Sequence, residues 1–289
     1  MIKVGYLVSY DYEWIYPSIE LLYPYVSKIY LAIDQDYLTW SGNPIAINKD
    51  FFDKIKTLDN KDKIEFYYDR FYVPTISPME CEIRERNKLL QKMGKGWLIQ
   101  LDADEYLYDF KKVKQFLGKY WYLTLFPKLT PVAFRGVLVT LFKKTETGYL
   151  YIDNNERFPF ITNYPKYISA RRNNEIKNHF FNAKVIHQSW ARTEDEIAFK
   201  IKNWGHRDDF DTQKFYDFWK NLDASNYKQI QNFHPLVPHV WDKLYFLEAQ
   251  NIEEFIKKYA DLHPQKLIRF QGVNKWSFLK SLFSKIVKN

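Results

Sequence analysis

The sequence predicts an α/β fold, a mixed sheet flanked by helices with a C-terminal helical extension, and three stretches predict it. Residues 2–34 read as strand, helix, strand, the unit from which parallel sheets are built. Residues 97–101, Trp-Leu-Ile-Gln-Leu, form an apolar run that opens after Gly96 and closes on Asp102, the pattern of a buried strand. Residues 132–152 are β-prone around a Thr-Glu-Thr-Gly turn and read as an antiparallel hairpin.

Taken in order, residues 2–9 are the first strand, ended by the polar break Tyr10-Asp11-Tyr12-Glu13. A helix over 13–25 follows, with Ile15, Ile19 and Leu22 on one face and Pro17 in its first turn, where proline is tolerated. Strand two, 28–33, ends on Asp34, which places Asp11, Asp34 and Asp102 on one sheet edge. Residues 38–44 are a loop, 50–58 a short helix capped by Asn48 or Asp50, and 63–68 a third strand. A helix over 80–93 is stopped by Gly94 and Gly96, and another covers 111–119. Residues 153–157, Asp-Asn-Asn-Glu-Arg, follow the hairpin, and 158–182 read as an irregular, mobile, acceptor-facing region. Residues 183–186 are a short strand ending at His187. Thr193 and Glu196 form a capping box for a helix over 194–204, which ends at Gly205-His206. Further helices are expected over 211–222 and 242–259. From Asn274 the tail reads as an amphipathic helix with Trp276 and Phe283 on its apolar half and lysines on the other.

A chain of 289 residues, 46% hydrophobic and 19% aromatic, can bury a large core. The division expected is a main domain over 1–210 and a helical extension over 211–289. Cys81 is the only cysteine, so no internal disulfide forms, which fits a reducing compartment. The N-terminal apolar stretch is too short for a secretory signal, and no run of 18 apolar residues exists. A cytoplasmic protein is expected, either soluble or peripheral on the inner face of the membrane. The net charge is +8, yet no acid follows Asp261 while Lys266, Arg269, Lys275, Lys280, Lys285 and Lys288 do. The body is therefore close to neutral, which argues against nucleic acid as a partner. The basic tail suits an anionic membrane surface or packs its apolar face on protein.

The chemistry concentrates at Leu101-Asp102-Ala-Asp104-Glu105. Acids crowded at the end of a buried strand repel one another and lose hydration unless a positive charge joins them. Carboxylate oxygens select Mg²⁺ or Mn²⁺, and such an ion bridges the phosphates of a nucleotide diphosphate. The plainer alternative is an acidic turn capping the next helix. His187, also at a strand end, could complete the metal shell and favour Mn²⁺, or be a structural histidine. Asp34 could meet a ribose or base edge, or be a turn residue; no glycine fingerprint follows strand one, which argues against a dinucleotide fold. Arg86 is suited to bidentate phosphate contacts, or to an ion pair along its own helix. His206, at a helix C-terminus, could donate to a phosphate.

These residues carry a resemblance. Gly96-Trp-Leu-Ile-Gln-Leu-Asp102-Ala-Asp104-Glu105 resembles the DxD strand of GT-A glycosyltransferases, above all the family 2-like enzymes. Glu85-Arg86-Asn87 is similar to the Arg-Asn helix that precedes it there. His187-Gln-Ser189-Trp190, with Lys200, Asn203 and His206, is similar to the H-x-S-[YW] … K-x-x-[NS]-x-x-H segment of bacterial members. The resemblance covers residues 2–210. It departs after strand one, where Tyr12-Glu13 replaces Asn-Glu, and after strand two, where Asp34-Gln-Asp36 replaces a longer acidic motif.

The resemblance implies metal-dependent transfer of a sugar from a UDP- or GDP-linked donor to a glycan or lipid-linked acceptor, with inversion by direct displacement. Asp102, Asp104 and His187 would hold the metal, and Asp11, Asp34, Arg86, Asp102 and His206 the donor. The acceptor needs a general base, for which Glu156 and then Asp153 are the candidates. Two other classes compete. A metal-dependent phosphohydrolase would use Asp102 as nucleophile and Asp104 as acid/base, but Tyr106 stands where that pattern has Thr or Val. A non-catalytic glycan- or RNA-binding protein would use exposed aromatics and lysines.

Overall fold

The computed structural model describes residues 1–203, 210–272, 275, 276 and 280. His206 and most of the expected tail helix lie outside the described residues. The described residues form one nine-stranded mixed sheet. Its strands are β1 (Ile2–Val8), β2 (Lys28–Asp34), β3 (Ile64–Asp69), β4 (Trp97–Asp102), β5 (Glu105–Tyr106), β6 (Val132–Lys144), β7 (Gly148–Thr162), β8 (Lys177–His187) and β9 (Tyr245–Glu248). The order is β3-β2-β1-β4-β7-β6-β8-β5, with β9 added to β7. The first four strands in that order are parallel. β7 then runs antiparallel to β4 and starts the mixed half.

The helices are α1 (Ile15–Leu22), α2 (Lys49–Leu58), α3 (Pro78–Met93), α4 (Phe110–Lys119), α5 (Glu194–Asn203), α6 (Thr212–Lys220) and α7 (Ile252–Leu262). β1 lies between β2 and β4 and is buried from Val4 to Val8, which explains its unbroken apolar run. Gly5 lets α3 sit close, since a Cβ there would come within 2.8 Å of Leu89 and Met93. α3 starts earlier than the apolar period suggests, because Pro78 sits in its first turn and Ser77 and Glu80 form a capping box. The main core runs under the parallel half from Val4 to Phe270, with Trp97, Phe116 and Phe134 at its centre.

Three stretches differ from expectation. Residues 153–157 do not end the hairpin: β7 continues to Thr162, paired with β6 through register shifts at 134/135, 138/140 and 141/143. The polar Asp153-Asn-Asn run has turn chemistry and forms a bulge, but Ile152 pairs with Thr140 before it and Glu156 with Leu138 after it, so the strand continues. The region read as irregular therefore opens and closes in strand, with β8 already begun at Lys177. The helix expected over 242–259 is instead β9 followed by α7, whose Asn251 caps it by accepting from the Glu254 N–H. Since β9 joins the main sheet and Phe270 enters the main core, residues 245–270 pack into the same body as β1–β8.

Gly136 lies in β6 where β7 and β8 close in from both sides; a Cβ would meet the Ala183 carbonyl at 2.3 Å and the Phe160 ring at 2.6 Å. Gly136→Ala is expected to cost ~1–3 kcal/mol by overpacking. A urea titration, showing a lower midpoint at unchanged slope, checks it.

Candidate active site

A cleft of about 370 Å³ opens at the carboxyl ends of β1, β2 and β4, the edge where ligands collect in open α/β sheets. Asp11, Asp34, Arg86, Asp102, Asp104 and His187 all line it. Asp153 and Glu156 do not. The Asp153 carboxylate accepts from Lys184 Nζ and Tyr259 Oη, both at 2.6 Å, and Glu156 from the Trp241 indole at 3.5 Å. Both stand on β7, at or beside its bulge, and outside the cleft lining.

Each acid of the Asp102-Ala-Asp104-Glu105 stretch meets its own arginine. Asp102 Oδ1 accepts from Arg86 Nη2 at 2.9 Å, and its Oδ2 lies 3.6 Å from Arg171. Glu105, fully buried, is gripped by Arg171 through two bonds of 2.5 and 2.7 Å. Asp104 accepts a short bond from Arg192, which also reaches Asp11 at 3.2 Å. His187 Nε2 stands 3.4 Å from the same Asp104 oxygen. β5 makes this possible, since its pairing sets Glu105 opposite His187 at the end of β8.

These partners decide the protonation states. Burial disfavours the Asp102 carboxylate, but Arg86 and Arg171 outweigh it and lower its pKa. Burial likewise opposes the Asp104 charge, and His187 and Arg192 hold it well below the usual carboxylate range. The His187 imidazole loses hydration, yet Asp104 raises its pKa. Asp11 is raised, chiefly by burial, against the pull of Arg192. Lys200, donating to the Ser189 carbonyl at 2.9 Å, is pushed down to about 8 by burial and by Arg192.

Asp34 has a structural task. Its Oδ1 accepts from the N–H groups of Asp36 and Leu38, and its Oδ2 from those of Phe71 and Tyr72. Four backbone donors occupy the carboxylate that was expected to meet a ribose. Arg86 makes the ion pair expected along its helix, with Glu82 at 2.8 Å, and also reaches Asp102 at the strand end. Its Nη1 is a buried donor without a protein partner, as is Nε of Arg192. Asn87 clamps the loop that carries Arg171, bonding both the N–H and the carbonyl of Tyr167.

Arg171, Arg192 and Trp40 were not singled out from sequence. Arg192 stands two residues beyond the His187-Gln-Ser189-Trp190 segment and Arg171 in a basic stretch, with nothing local to mark either as the partner of an acid. Trp40 lines the cleft from the 38–44 loop and donates its indole N–H to Glu85 at 2.6 Å.

Among the described residues no group of three or more His, Cys, Asp or Glu is arranged to hold a metal ion. Asp104 and His187 are brought together, while Asp102 stays on its arginines. One or two protein ligands plus phosphate oxygens suffice for Mg²⁺-type ions. The donor set therefore fits an ion that arrives with a diphosphate and not an ion alone.

No protein-family model matches the chain, and no curated protein matches it. Several solved structures are similar at a distance. S. aureus TarS shares 12% identity at a TM-score of 0.29, over 49% of this chain and 21% of that one. Its 1–349 form gives 11% and 0.30, over 51% of this chain and 41% of that one. An apo UDP-glucose pyrophosphorylase gives 11% and 0.32, over 65% and 90%. The chain thus spans well under two thirds of the TarS chains it matches. At these TM-scores the chemistry of the cleft rests on its own residues.

Two outcomes follow from the buried charges. Arg171→Met leaves Glu105 unpaired in the interior and should cost ~3–5 kcal/mol, whereas Arg171→Met with Glu105→Leu should recover most of that; denaturant melts of the two variants check it. Burial, only partly offset by the Trp40 bond and Arg86 and reinforced by Asp34 and Glu82, pushes Glu85 up to about 8. Its folded pKa exceeds its unfolded one, so its contribution is full below the unfolded pKa and fades as pH rises through about 8. Glu85→Gln should therefore gain stability relative to the parent between pH 6 and 9, read as a difference in melting temperature at each pH.

Proposed function

We propose that this chain is a glycosyltransferase of GT-A, family 2-like type. It moves a sugar from a UDP- or GDP-linked donor to a glycan or lipid-linked acceptor. The observation that carries this reading is the charge balance of the cleft. Asp11, Asp34, Glu82, Asp102 and Asp104 line it with Glu105 behind them, facing Arg86, Arg171, Lys200 and His187 with Arg192 behind. Burial raises the pKa of Glu85 in the same lining to about 8, so the cleft carries little net charge. A bare diphosphate would bring uncompensated negative charge into such a site, and a bare divalent cation uncompensated positive charge. A metal–diphosphate pair is close to neutral and enters at lower electrostatic cost than either part.

Asp104 and His187 would hold the Mn²⁺ or Mg²⁺, which when bound stabilises charge on the leaving diphosphate. The chain's own residues do the rest. The unpaired Nη1 of Arg86 is a ready donor for a phosphate oxygen. Arg171 fixes Glu105 and, with Arg86, Asp102, so the strand end does not shift when the donor enters. Trp40 and Tyr10 wall the cleft and limit water beside the anomeric carbon. Against the phosphohydrolase alternative, both Asp102 oxygens face guanidinium groups, which lowers the nucleophilicity of that carboxylate.

The test is a thermal-shift matrix of UDP, GDP, Mn²⁺ and their combinations. Nucleotide with Mn²⁺ at a hundredfold excess over Kd should stabilise by ~2.7 kcal/mol, a rise of several degrees. Either component alone should give little, and Asp104→Asn should abolish the synergy while keeping the fold. Equal stabilisation by inorganic phosphate alone would overturn the reading.

A further inference from the structure

The segment 120–130, Tyr-Trp-Tyr-Leu-Thr-Leu-Phe-Pro-Lys-Leu-Thr, sits between α4 and β6 and touches no part of the cleft. It faces in two directions at once. Tyr122 and Leu123 are buried, whereas Trp121, Leu125, Phe126 and Leu129 are 47%, 43%, 44% and 53% exposed. Four large apolar side chains held in water within nine residues are not a random scatter; such a patch marks an interaction surface.

The loop is built to hold them there. The buried Asn163 side chain donates to the carbonyls of Leu123 at 2.6 Å and Thr130 at 2.8 Å, and accepts from the Val132 N–H. Thr130 Oγ1 bonds back to the Leu123 and Phe126 carbonyls, and the Leu129 N–H to that of Phe126. Both ends of the knob are therefore pinned to the sheet. Ordering entropy that a flexible loop would lose on docking is already spent in folding.

Beside the knob runs a groove of about 1010 Å³ between α4 and residues 265–272, 275 and 276. Lys112, Lys119, Arg269 and Lys275 line it, and among the described residues no acid does. Lys112 is paired with Asp109. Lys275 Nζ lies 5.6 Å from the Trp121 ring, which joins the two features into one surface. Trp276 is 70% exposed next to it, and Lys128 adds a further cation inside the knob.

We infer that this knob and groove are a docking surface for an anionic lipid bilayer, with Trp121, Leu125, Phe126 and Leu129 entering the acyl boundary and the flanking cations meeting headgroup phosphates. Apolar side chains for the interior and lysines for the surface is the pairing a bilayer interface selects. A second protein copy would also bury the apolar residues, but two copies would bring the same acid-free, cationic groove against itself. The inference stands whether or not the cleft transfers sugar.

The experiment is flotation of the full chain with vesicles of phosphatidylcholine, and of phosphatidylcholine mixed with phosphatidylglycerol. The parent should float with the mixed vesicles and not with the neutral ones, and should be released by salt. Leu125→Ser with Phe126→Ser should weaken that binding about tenfold or more. Lys119→Glu with Lys128→Glu should do the same by the electrostatic route; both pairs are surface changes whose folding a melting curve checks. Binding unchanged in both pairs would overturn the inference, because the rest of the C-terminal tail remains intact in each. So would a dimer by sedimentation that the Leu125→Ser, Phe126→Ser pair dissolves without any vesicle binding in the parent.

Discussion

The pairing of three adjacent acids with three arginines from distant parts of the chain is the constraint on which the site depends. Asp102, Asp104 and Glu105 leave the end of β4 within four residues, and Arg86, Arg192 and Arg171 reach them from α3, from the turn after β8 and from the 163–176 loop. Carboxylates so close in a partly dry setting would raise one another's pKa and one would take up a proton. The guanidinium groups prevent that, because each matches a carboxylate in shape and keeps its charge at any working pH. A buried pair adds little net stability, but breaking one leaves an uncompensated charge. The cluster therefore acts chiefly as a register device, fixing three mobile-prone segments against one strand end.

The same arrangement changes how the acids should be understood. Crowded carboxylates at a strand end call for positive charge, and the natural expectation is a metal ion. Here the protein supplies most of that charge itself. What remains is a cleft of little net charge, with one buried guanidinium donor of Arg86 in its lining and one of Arg192 behind Asp104, neither with a protein acceptor. Buried donors are expensive to leave unmet. Phosphate oxygens suit guanidinium geometry. The acids thus serve to aim the arginines, and Asp104 is shared between Arg192 and His187.

Legibility from sequence divides along the same line. Local patterns carried β1, β2, β4 and the acids at their ends, because a buried strand announces itself by an unbroken apolar run and its exit by the first charged residue. His187 was visible for the same reason. Arg171 and Arg192 were not, since an ion pair between residues 66 or 88 positions apart leaves no mark in local composition. The Asp153-Asn-Asn-Glu156 stretch misled in the opposite sense. It has turn chemistry, but β6 pairs with it on both sides of a bulge and the sheet wins. β9 was hidden because Tyr245–Glu248 is short and runs straight towards a helix, and only its partner β7 makes it a strand.

Asp34 shows how a residue can be correctly placed and still serve another purpose. It stands at the end of β2, on the cleft edge, where an acid in a nucleotide-binding α/β fold would meet a ribose. Its two oxygens accept four backbone N–H groups, from Asp36, Leu38, Phe71 and Tyr72. A carboxylate offers about four acceptor sites, so none is left for a hydroxyl. What the bonds secure is the crossing of two loops, and one of them carries Trp40, anchored in turn on Glu85 of α3. Contact with a ligand at this end of the cleft then falls to the loop that Asp34 holds. With the acid committed to the backbone, the edge of the sheet is held by main-chain bonds and not by the side chains of the wall beside it.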